Sequence, residues 1–211
     1  MHKLKTSRQN YYKGSLDKVK TDPIEQFQDW LQDAYDDADI LEPNAMTVCT
    51  ANKDGQPSAR ILLLRQVSED GFEFYTNYKS QKGIEIVDNP QAALCFFWDK
   101  LERQVRVEGQ VEKLSAKKSD DYFNSRPHDS RISAIISNQS QIASSRDEIE
   151  QRVLDFKNGN NSITRPESWG GYIVKPSKIE FWQGRPNRLH DRIRFARKEN
   201  SSDWIIERLY P

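Results

Sequence analysis

Cysteine is nearly missing from this chain of 211 residues: Cys49 and Cys95 are its only two, each inside an apolar stretch. A disulfide framework is thereby excluded, and two buried thiols in a reducing, cytoplasmic setting are expected. Histidine is as scarce. With His2, His128 and His190 scattered and the two cysteines far apart, no metal-ligand spacing exists and no metal is expected. The nine glycines never assemble GxGxxG, a Walker-type loop or a GxSxG elbow, which sets aside dinucleotide, P-loop and α/β-hydrolase chemistry. Long hydrophobic runs are missing too. The longest, Ala92–Trp98, falls far short of a membrane span, and Met-His-Lys-Leu-Lys-Thr at the start lacks the apolar segment of a signal peptide. The expectation is a cytoplasmic protein with no membrane partner.

Net charge is absent as well. Thirty-two basic residues balance thirty-two acidic ones, so no global field favours nucleic acid. A nucleic-acid-binding barrel would also need aromatic and basic residues interleaved on one strand face, and none is found. The balance is uneven along the chain. Residues 1–20 hold Lys3, Lys5, Arg8, Lys13, Lys18 and Lys20 against Asp17 alone, and residues 183–200 hold five arginines and Lys198 against Asp191 and Glu199. Such clusters are either solvated faces or local anion sites, and in a neutral protein the second reading points to small phosphorylated ligands. The apolar fraction is 36%, or about 40% with glycine, below the roughly 45–50% of ordinary domains. Part of the burial is therefore expected from a partner subunit.

After the basic arm, Asp22-Pro23 with Glu25 reads as a capped helix start, and Ile24, Phe27, Leu31, Ala34 and Ala38 follow at helical spacing. From Ala45 to Leu114 the pattern changes to strands: Met46–Ala51, Ser58–Val67, Phe72–Asn77, Ala92–Trp98 and Arg103–Lys113, with a short helix near Ser80–Val87. Turn compositions such as Asn52-Lys53-Asp54-Gly55 separate them. Helices are expected at about 115–126 and 145–157, the second opened by the capping box Ser145-x-x-Glu148. Two hairpins close the chain: Tyr172–Val174 with Lys178–Trp182 across Lys175-Pro176-Ser177, and Arg192–Arg197 with Trp204–Leu209. The class is α+β, an antiparallel barrel with helices packed outside it.

Three constellations carry chemistry. Arg60-Ile61-Leu62-Leu63-Leu64-Arg65 is an apolar strand with an arginine at each end, on opposite faces unless the strand bends. Read alone, it is a core strand with snorkelling ends. Tyr122-x-x-x-Arg126, with Pro127 and Ser130 beyond, sets a phenol, a guanidinium fork and a hydroxyl where a phosphate monoester would suit them, although such pairs often only decorate a surface. In Arg188-Leu189-His190-Asp191-Arg192, alternation in an extended segment places Arg188, His190 and Arg192 on one face, where they repel unless an anion lies among them. Trp182 offers an aromatic wall nearby.

In this order these residues resemble the pyridox(am)ine 5'-phosphate oxidase family, over nearly the whole chain from about Arg8 to Pro211. The most specific stretches are Arg60–Arg65, Phe74-Tyr75-Thr76-Asn77, Glu102–Gly109, Tyr122-Phe123-x-Ser125-Arg126-Pro127, Trp169-Gly170-Gly171, and Glu180–Gly184 with Arg188–Arg192. The resemblance implies an antiparallel FMN-binding split barrel with flanking helices, homodimeric, with the flavin in clefts between subunits. It implies a single oxidase domain over 21–211 and a mobile arm over 1–20. Arg60 and Lys82 would hold the FMN phosphate; Ile61, Leu62, Leu63, Leu64, Arg65, Tyr75 and Thr76 would line the flavin; Gln104, Gln139, Ser140, Trp182 and Arg192 would complete its pocket. The substrate phosphate would lie among Arg65, Tyr122, Arg126 and Ser130. Arg188 and His190 would act on the substrate ring, and Arg8 and Tyr11 would close over it. The implied reaction oxidises pyridoxine or pyridoxamine 5'-phosphate to pyridoxal 5'-phosphate, with oxygen as acceptor and hydrogen peroxide as product, plus ammonia from the amine. A split-barrel flavin-binding protein or flavin reductase is the alternative, and it leaves Tyr122, Arg126, Arg188 and His190 without work. Three departures stand out: Arg65 where lysine is frequent, Gln81 where arginine is usual, and Ser133-Ala134-Ile135 in place of a Gly-Ala-Trp-like run.

Overall fold

The computed structural model describes residues 10–159, 161–199 and 201–211. Helix α1 (Pro23–Asp36) begins as its sequence dictates: Asp22 accepts from the Ile24 N–H at 2.7 Å, and proline occupies the first turn, where its missing N–H costs nothing. Ile24, Phe27, Trp30 and Ala34 form the buried stripe. The helix ends before Ala38, which is exposed, and Trp30 takes the place that the spacing assigned further along.

Among the described residues nine strands follow in one antiparallel sheet: β1 (Ala45–Ala51), β2 (Pro57–Leu63), β3 (Gln66–Ser68), β4 (Gly71–Asn77), β5 (Gln91–Trp98), β6 (Arg103–Lys113), β7 (Trp169–Gln183), β8 (Asp191–Arg197) and β9 (Trp204–Leu209). The order is β2-β1-β5-β6-β7-β4-β3, with β8 and β9 added beside β7. The run expected over 58–67 is divided. Leu64 N–H donates to the Asn44 carbonyl and Arg65 N–H to the Glu73 carbonyl, so the chain leaves β1 at Leu63 and joins β4 at Gln66. Because β2 and β3 are the two ends of the strand order, this short crossing bridges the open sides of the curled sheet. The result is a split barrel.

The first of the two closing hairpins does not form. Residues 169–183 are one continuous strand, paired with β6 from Tyr172 to Gln183. Its other edge belongs to β4 over Trp169–Val174 and to β8 over Lys178–Gln183. Lys175-Pro176-Ser177 has a turn's composition because this edge is changing neighbours there, where proline's missing N–H leaves no ladder bond unmade. The register with β6 shifts there, between Glu108 and Gly109, with Ser177 as the extra, unpaired residue of β7. A Cβ on Gly109 would run into the Lys175 carbonyl, so only glycine allows that approach. The second hairpin, β8 with β9, forms in the expected place.

The barrel's inner face is filled by Val48, Leu94, Phe96, Val105, Val107, Phe181, Phe72 and Phe74. Phe27 of α1 caps it, with ring centroids 4.9 Å from both Phe72 and Phe96. Edge-to-face packing of this kind adds about 0.5–1.5 kcal/mol per pair to the burial itself. The arm also joins this core: Leu16 is buried, so packing continues across the boundary expected at residue 20. The outer face of β1, β2 and β5 is different. Cys49 and Cys95 are half-buried there rather than fully buried, and Ile61 and Phe97 are 62% and 55% exposed. Strand β2 is thus an apolar edge rather than a core strand.

Helix α2 (Gln81–Asp88) is capped by Ser80, α3 (Ala116–Ser125) by Ser115, and α5 (Arg146–Asn158) by Ser145. The expected box at Ser145 closes one residue early, since Glu148 reaches back to the N–H and hydroxyl of Ser144. Helix α4 (His128–Ile136) was not anticipated, because Pro127 reads as a terminator although it stands immediately before a second helix. No described helix is long and apolar enough to cross a membrane.

Candidate active site

A cleft of about 430 Å³ opens where β2, β4, α3 and α4 meet. It is lined by Ile61, Leu62, Leu63, Arg65, Tyr75, Thr76, Tyr122, Arg126 and Gln139 of the expected set. Helix α3 is laid on the outer face of β4 and β7 in two rungs. Lys118 pairs with the buried Glu73 at 2.7 Å, and one turn on Tyr122 stacks on Tyr75 with centroids 3.8 Å apart. Gly171 permits this, for a Cβ there would lie 2.7 Å from the Tyr75 ring. Burial, aided by Glu73, pushes the Tyr75 phenol up to about 12, so it is neutral throughout the physiological range.

Arg65 and Arg126 line this cleft and Lys82 lies behind its Thr76 and Gln139 wall, none of the three within ion-pair distance of an acid among the described residues. Lys82, only 5% exposed, directs its Nζ to Thr76 Oγ1 and Ser80 Oγ at 3.2 Å and to Gln139 Oε1 at 3.3 Å. Among the described residues no carboxylate lies within ion-pair distance of it, and burial, with Arg60 adding and the more distant Glu85 opposing, pushes it down to about 8. Arg126 lies over the Trp169 ring at 4.7 Å, and its buried Nη1 has no hydrogen-bond partner among the described residues. Burial lowers its pKa, with nearby Arg65 adding to the effect and Tyr122 opposing it. A buried lone donor of this kind costs free energy until an acceptor reaches it.

Arg60 is held differently. Its guanidinium donates to Thr50 Oγ1 and Ser58 Oγ at 2.6 Å and stands 3.4 Å from Glu85. Burial pushes the Glu85 carboxyl up, but donors from Ser58, Thr50 and Gln81, with Arg60 beside it, hold it below the usual range. Gln81, in the place where arginine is usual, donates to Glu85 at 2.9 Å.

The remaining expected residues gather elsewhere. Tyr11, Trp182 and His190 form an aromatic group, with Trp182 and His190 centroids 4.7 Å apart and Tyr11 edge-on to both. Gln104 is the register partner of Trp182. His190 Nδ1 accepts from the Arg185 N–H at 3.1 Å, so the neutral ring carries its proton on Nε2. Burial, with Arg188 beside it, keeps this imidazole below its ordinary pKa.

The shared strand face expected for Arg188, His190 and Arg192 is not found. Pro186–Arg188 is a 3-10 turn, with Asn187 and Arg188 both left-handed at φ 58° and 63°. Strand β8 begins only at Asp191. Arg192 is gripped by Glu180 through Nε at 2.8 Å and Nη2 at 3.1 Å, and it donates to the Tyr210 carbonyl. Two consecutive left-handed non-glycine residues store strain of the kind found at functional segments.

Leu64 is packed in the core rather than in the cleft. Ser130 is half-buried on α4, whose Ser133 and Ala134 line the cleft instead, and Ile135 is outside the lining. Ser140, at φ 71°, opens onto a neighbouring hollow between α4 and α5. Arg8 lies outside the described residues. Sequence reasoning missed Trp169 as a site residue. Its signal was an aromatic directly before Gly170-Gly171, at the start of a strand facing Tyr122. Asn77 was missed as well; it lines the cleft and donates to the Ser137 carbonyl.

Fold and cleft together define a split-barrel protein with a cation-lined, aromatic-walled site. Residues 31–158 match the model of the pyridoxamine 5'-phosphate oxidase family, and residues 169–211 match that of the pyridoxine 5'-phosphate oxidase C-terminal dimerisation region. The chain belongs to the pyridoxamine 5'-phosphate oxidase family. It is 50% identical to the pyridoxine/pyridoxamine 5'-phosphate oxidase of Salinibacter ruber over the full length of both chains. It is 52% identical to the protein of that name from Cupriavidus metallidurans, again over all of both chains. Among solved structures, PhzG of Burkholderia lata, in complex with tetrahydrophenazine-1-carboxylic acid, superposes with a TM-score of 0.86 at 27% identity, covering 94% of this chain and all of that one.

Proposed function

We propose that the chain oxidises pyridoxine 5'-phosphate and pyridoxamine 5'-phosphate to pyridoxal 5'-phosphate, as an FMN-dependent homodimer. Oxygen is the electron acceptor, giving hydrogen peroxide, with ammonia released from the amine. The observation that carries this reading is a pair of cations with no acid at ion-pair distance among the described residues, Arg126 with its lone Nη1 in the cleft and Lys82 buried behind the Thr76 and Gln139 that line it. Two phosphate monoesters, one on the cofactor and one on the substrate, answer both. A flavin-binding protein without the oxidase reaction would leave Arg126 unanswered.

The residues fit a flavin monophosphate. Lys82 and Arg60 would hold its phosphate, with Thr76 and Gln139 as the hydroxyl and amide beside Lys82 and the Ile61–Leu63 segment as an apolar wall. When bound, the flavin takes up the hydride from the carbon bearing the alcohol or amine. The chain's own work is orientation. Arg65, Tyr122 and Arg126 hold the substrate phosphate, with Ser130 of α4 as a further donor, and the planar arginine fork fixes its direction. Arg188, with the Nε2–H of a neutral His190, bears on the substrate ring, and Tyr11 covers it from the arm with Arg8.

Trp169 and Trp182 explain why two copies are needed. They stand near opposite ends of the 15-residue β7, on the order of 40 Å apart along a regular strand's rise. One chain cannot bring its cleft and its own Trp182–His190 wall to a single small ligand. A second copy, docked on the exposed apolar face around Ile61 and Phe97, supplies the missing wall. The test is the visible spectrum of the purified protein before and after anaerobic addition of pyridoxine 5'-phosphate. Bleaching of an FMN absorption is expected. FAD on extraction, or no bleaching, would overturn the proposal.

A further inference from the structure

The N-terminal arm crosses the Trp182–His190 group on a path fixed by one carboxylate. Glu102 follows the turn Asp99–Leu101 in the left-handed region, at φ 54°, immediately before β6. Its Oε2 accepts from two consecutive backbone N–H groups, Tyr12 at 2.8 Å and Lys13 at 2.9 Å. Its own carbonyl accepts from the Gly184 N–H at 2.7 Å. Tyr11 is thereby laid directly on Gly184, where a Cβ would sit 2.7 Å from the ring. The Tyr11 ring then meets Trp182 and His190 edge-on, at 5.6 and 5.7 Å. An extended arm offers N–H groups that water would otherwise satisfy. A carboxylate receiving two at once makes charge-assisted bonds, about twice as strong as neutral ones.

We propose that Glu102 is a positioning residue, a latch that holds Tyr11 over the substrate ring; what lies beneath Tyr11 rests on the function proposed above. The latch acts on a short stretch only. From residue 14 onward the arm has other ties: the Gly14 carbonyl to Arg185 at 3.2 Å, Leu16 N–H to Asp191 at 3.0 Å, and the Leu16 carbonyl to Arg208 at 2.8 Å. Loss of Glu102 therefore frees Tyr11–Lys13 and leaves Leu16 in the core.

The experiment compares flavin-loaded, full-length E102A and E102Q with the unaltered protein. Limited trypsin digestion read by mass spectrometry gives the rate of cleavage after Lys13, with Lys18 and Lys20 as internal controls. In E102A, which loses both bonds, cleavage after Lys13 should rise at least about tenfold, since one charge-assisted hydrogen bond alone is worth that much. The controls should not change. The KM for pyridoxine 5'-phosphate should rise by a similar factor, with kcat and FMN content retained. E102Q, which keeps an acceptor but not the charge, should fall between. Unchanged cleavage after Lys13 would overturn the latch. So would a freed arm with an unaltered KM, or loss of FMN, which would place the role of Glu102 in β6 instead. A failure of the unaltered protein to oxidise either vitamer would sink the proposed function, and the cleavage comparison would then decide the latch alone.

Discussion

Replacing Lys82 with methionine tests the proposed phosphate site without any turnover. In the flavin-free protein the ammonium is buried with three neutral acceptors, Glu85 only partly offsets its burial, and its pKa falls to about 8. The unfolded chain keeps an ordinary lysine, near 10.4. Between those values the unfolded state binds the proton and the folded state does not, so stability rises with pH across that window. Each full pH unit is worth about 1.4 kcal/mol, and from pH 7 to pH 10 the lysine should add about 2.5 kcal/mol. The K82M variant lacks this increment, while tyrosines and other lysines titrate alike in both proteins and cancel in the difference. Urea unfolding of both flavin-free proteins at pH 7, 8.5 and 10 measures it. The difference in unfolding free energy should move by about 2.5 kcal/mol in favour of the lysine protein as pH rises. Bound FMN should shrink the movement, because a phosphate beside the ammonium restores its proton. A difference that stays flat with pH would refute the claim that Lys82 is an uncompensated buried cation. A movement untouched by FMN would refute its assignment to the phosphate.

Arg126→Ala should weaken pyridoxal 5'-phosphate binding about 30-fold or more, the low end of 2–5 kcal/mol for a buried charged partner, while FMN content stays normal. Loss of FMN with unchanged vitamer affinity in an absorbance titration would exchange the two phosphate sites. Arg188→Ala should keep FMN and slow flavin bleaching in anaerobic single turnovers by up to about 100-fold, the effect of roughly 1 Å of misplacement. An unaltered bleaching rate would remove the 3-10 turn from the site. Gly109→Ala should lower stability by about 1–3 kcal/mol, since the new methyl meets backbone at the bulge rather than a side chain able to move. A melting temperature equal to that of the unaltered protein would show that β7 can shift there.

Most strands were legible because their alternation is strong and their turns are short. Helix α1 was legible because Asp22-Pro23 is a start signal that tertiary packing rarely overrides. Residues 172–182 were misread for a physical reason: Lys175-Pro176-Ser177 has the same composition whether a chain reverses or merely changes its neighbour on one edge. Likewise Arg188 to Arg192 alternates like a strand, yet Asn187 and Arg188 turn left-handed, which nothing local announces. The cleft itself was largely legible through motifs, since Arg65, Tyr75, Tyr122, Arg126 and Gln139 converge on it. What no pattern revealed was its electrostatics. That Glu85 pairs with Arg60 and not with Lys82 depends on Ser58, Thr50 and Gln81, whose side chains look interchangeable in one dimension.

Strand β7 carries Trp169 near one end and Trp182 near the other, and on the proposed reading these ends serve different sites of a dimer. A genetic consequence follows. A chain carrying Arg126→Ala is damaged in its cleft, and one carrying Arg188→Ala in its ring wall, so neither homodimer has an intact site. In a mixed dimer one site collects both lesions and the other collects none. Two inactive alleles expressed together would then complement each other, restoring up to one working site per mixed pair. Two alleles damaged at the same end would not.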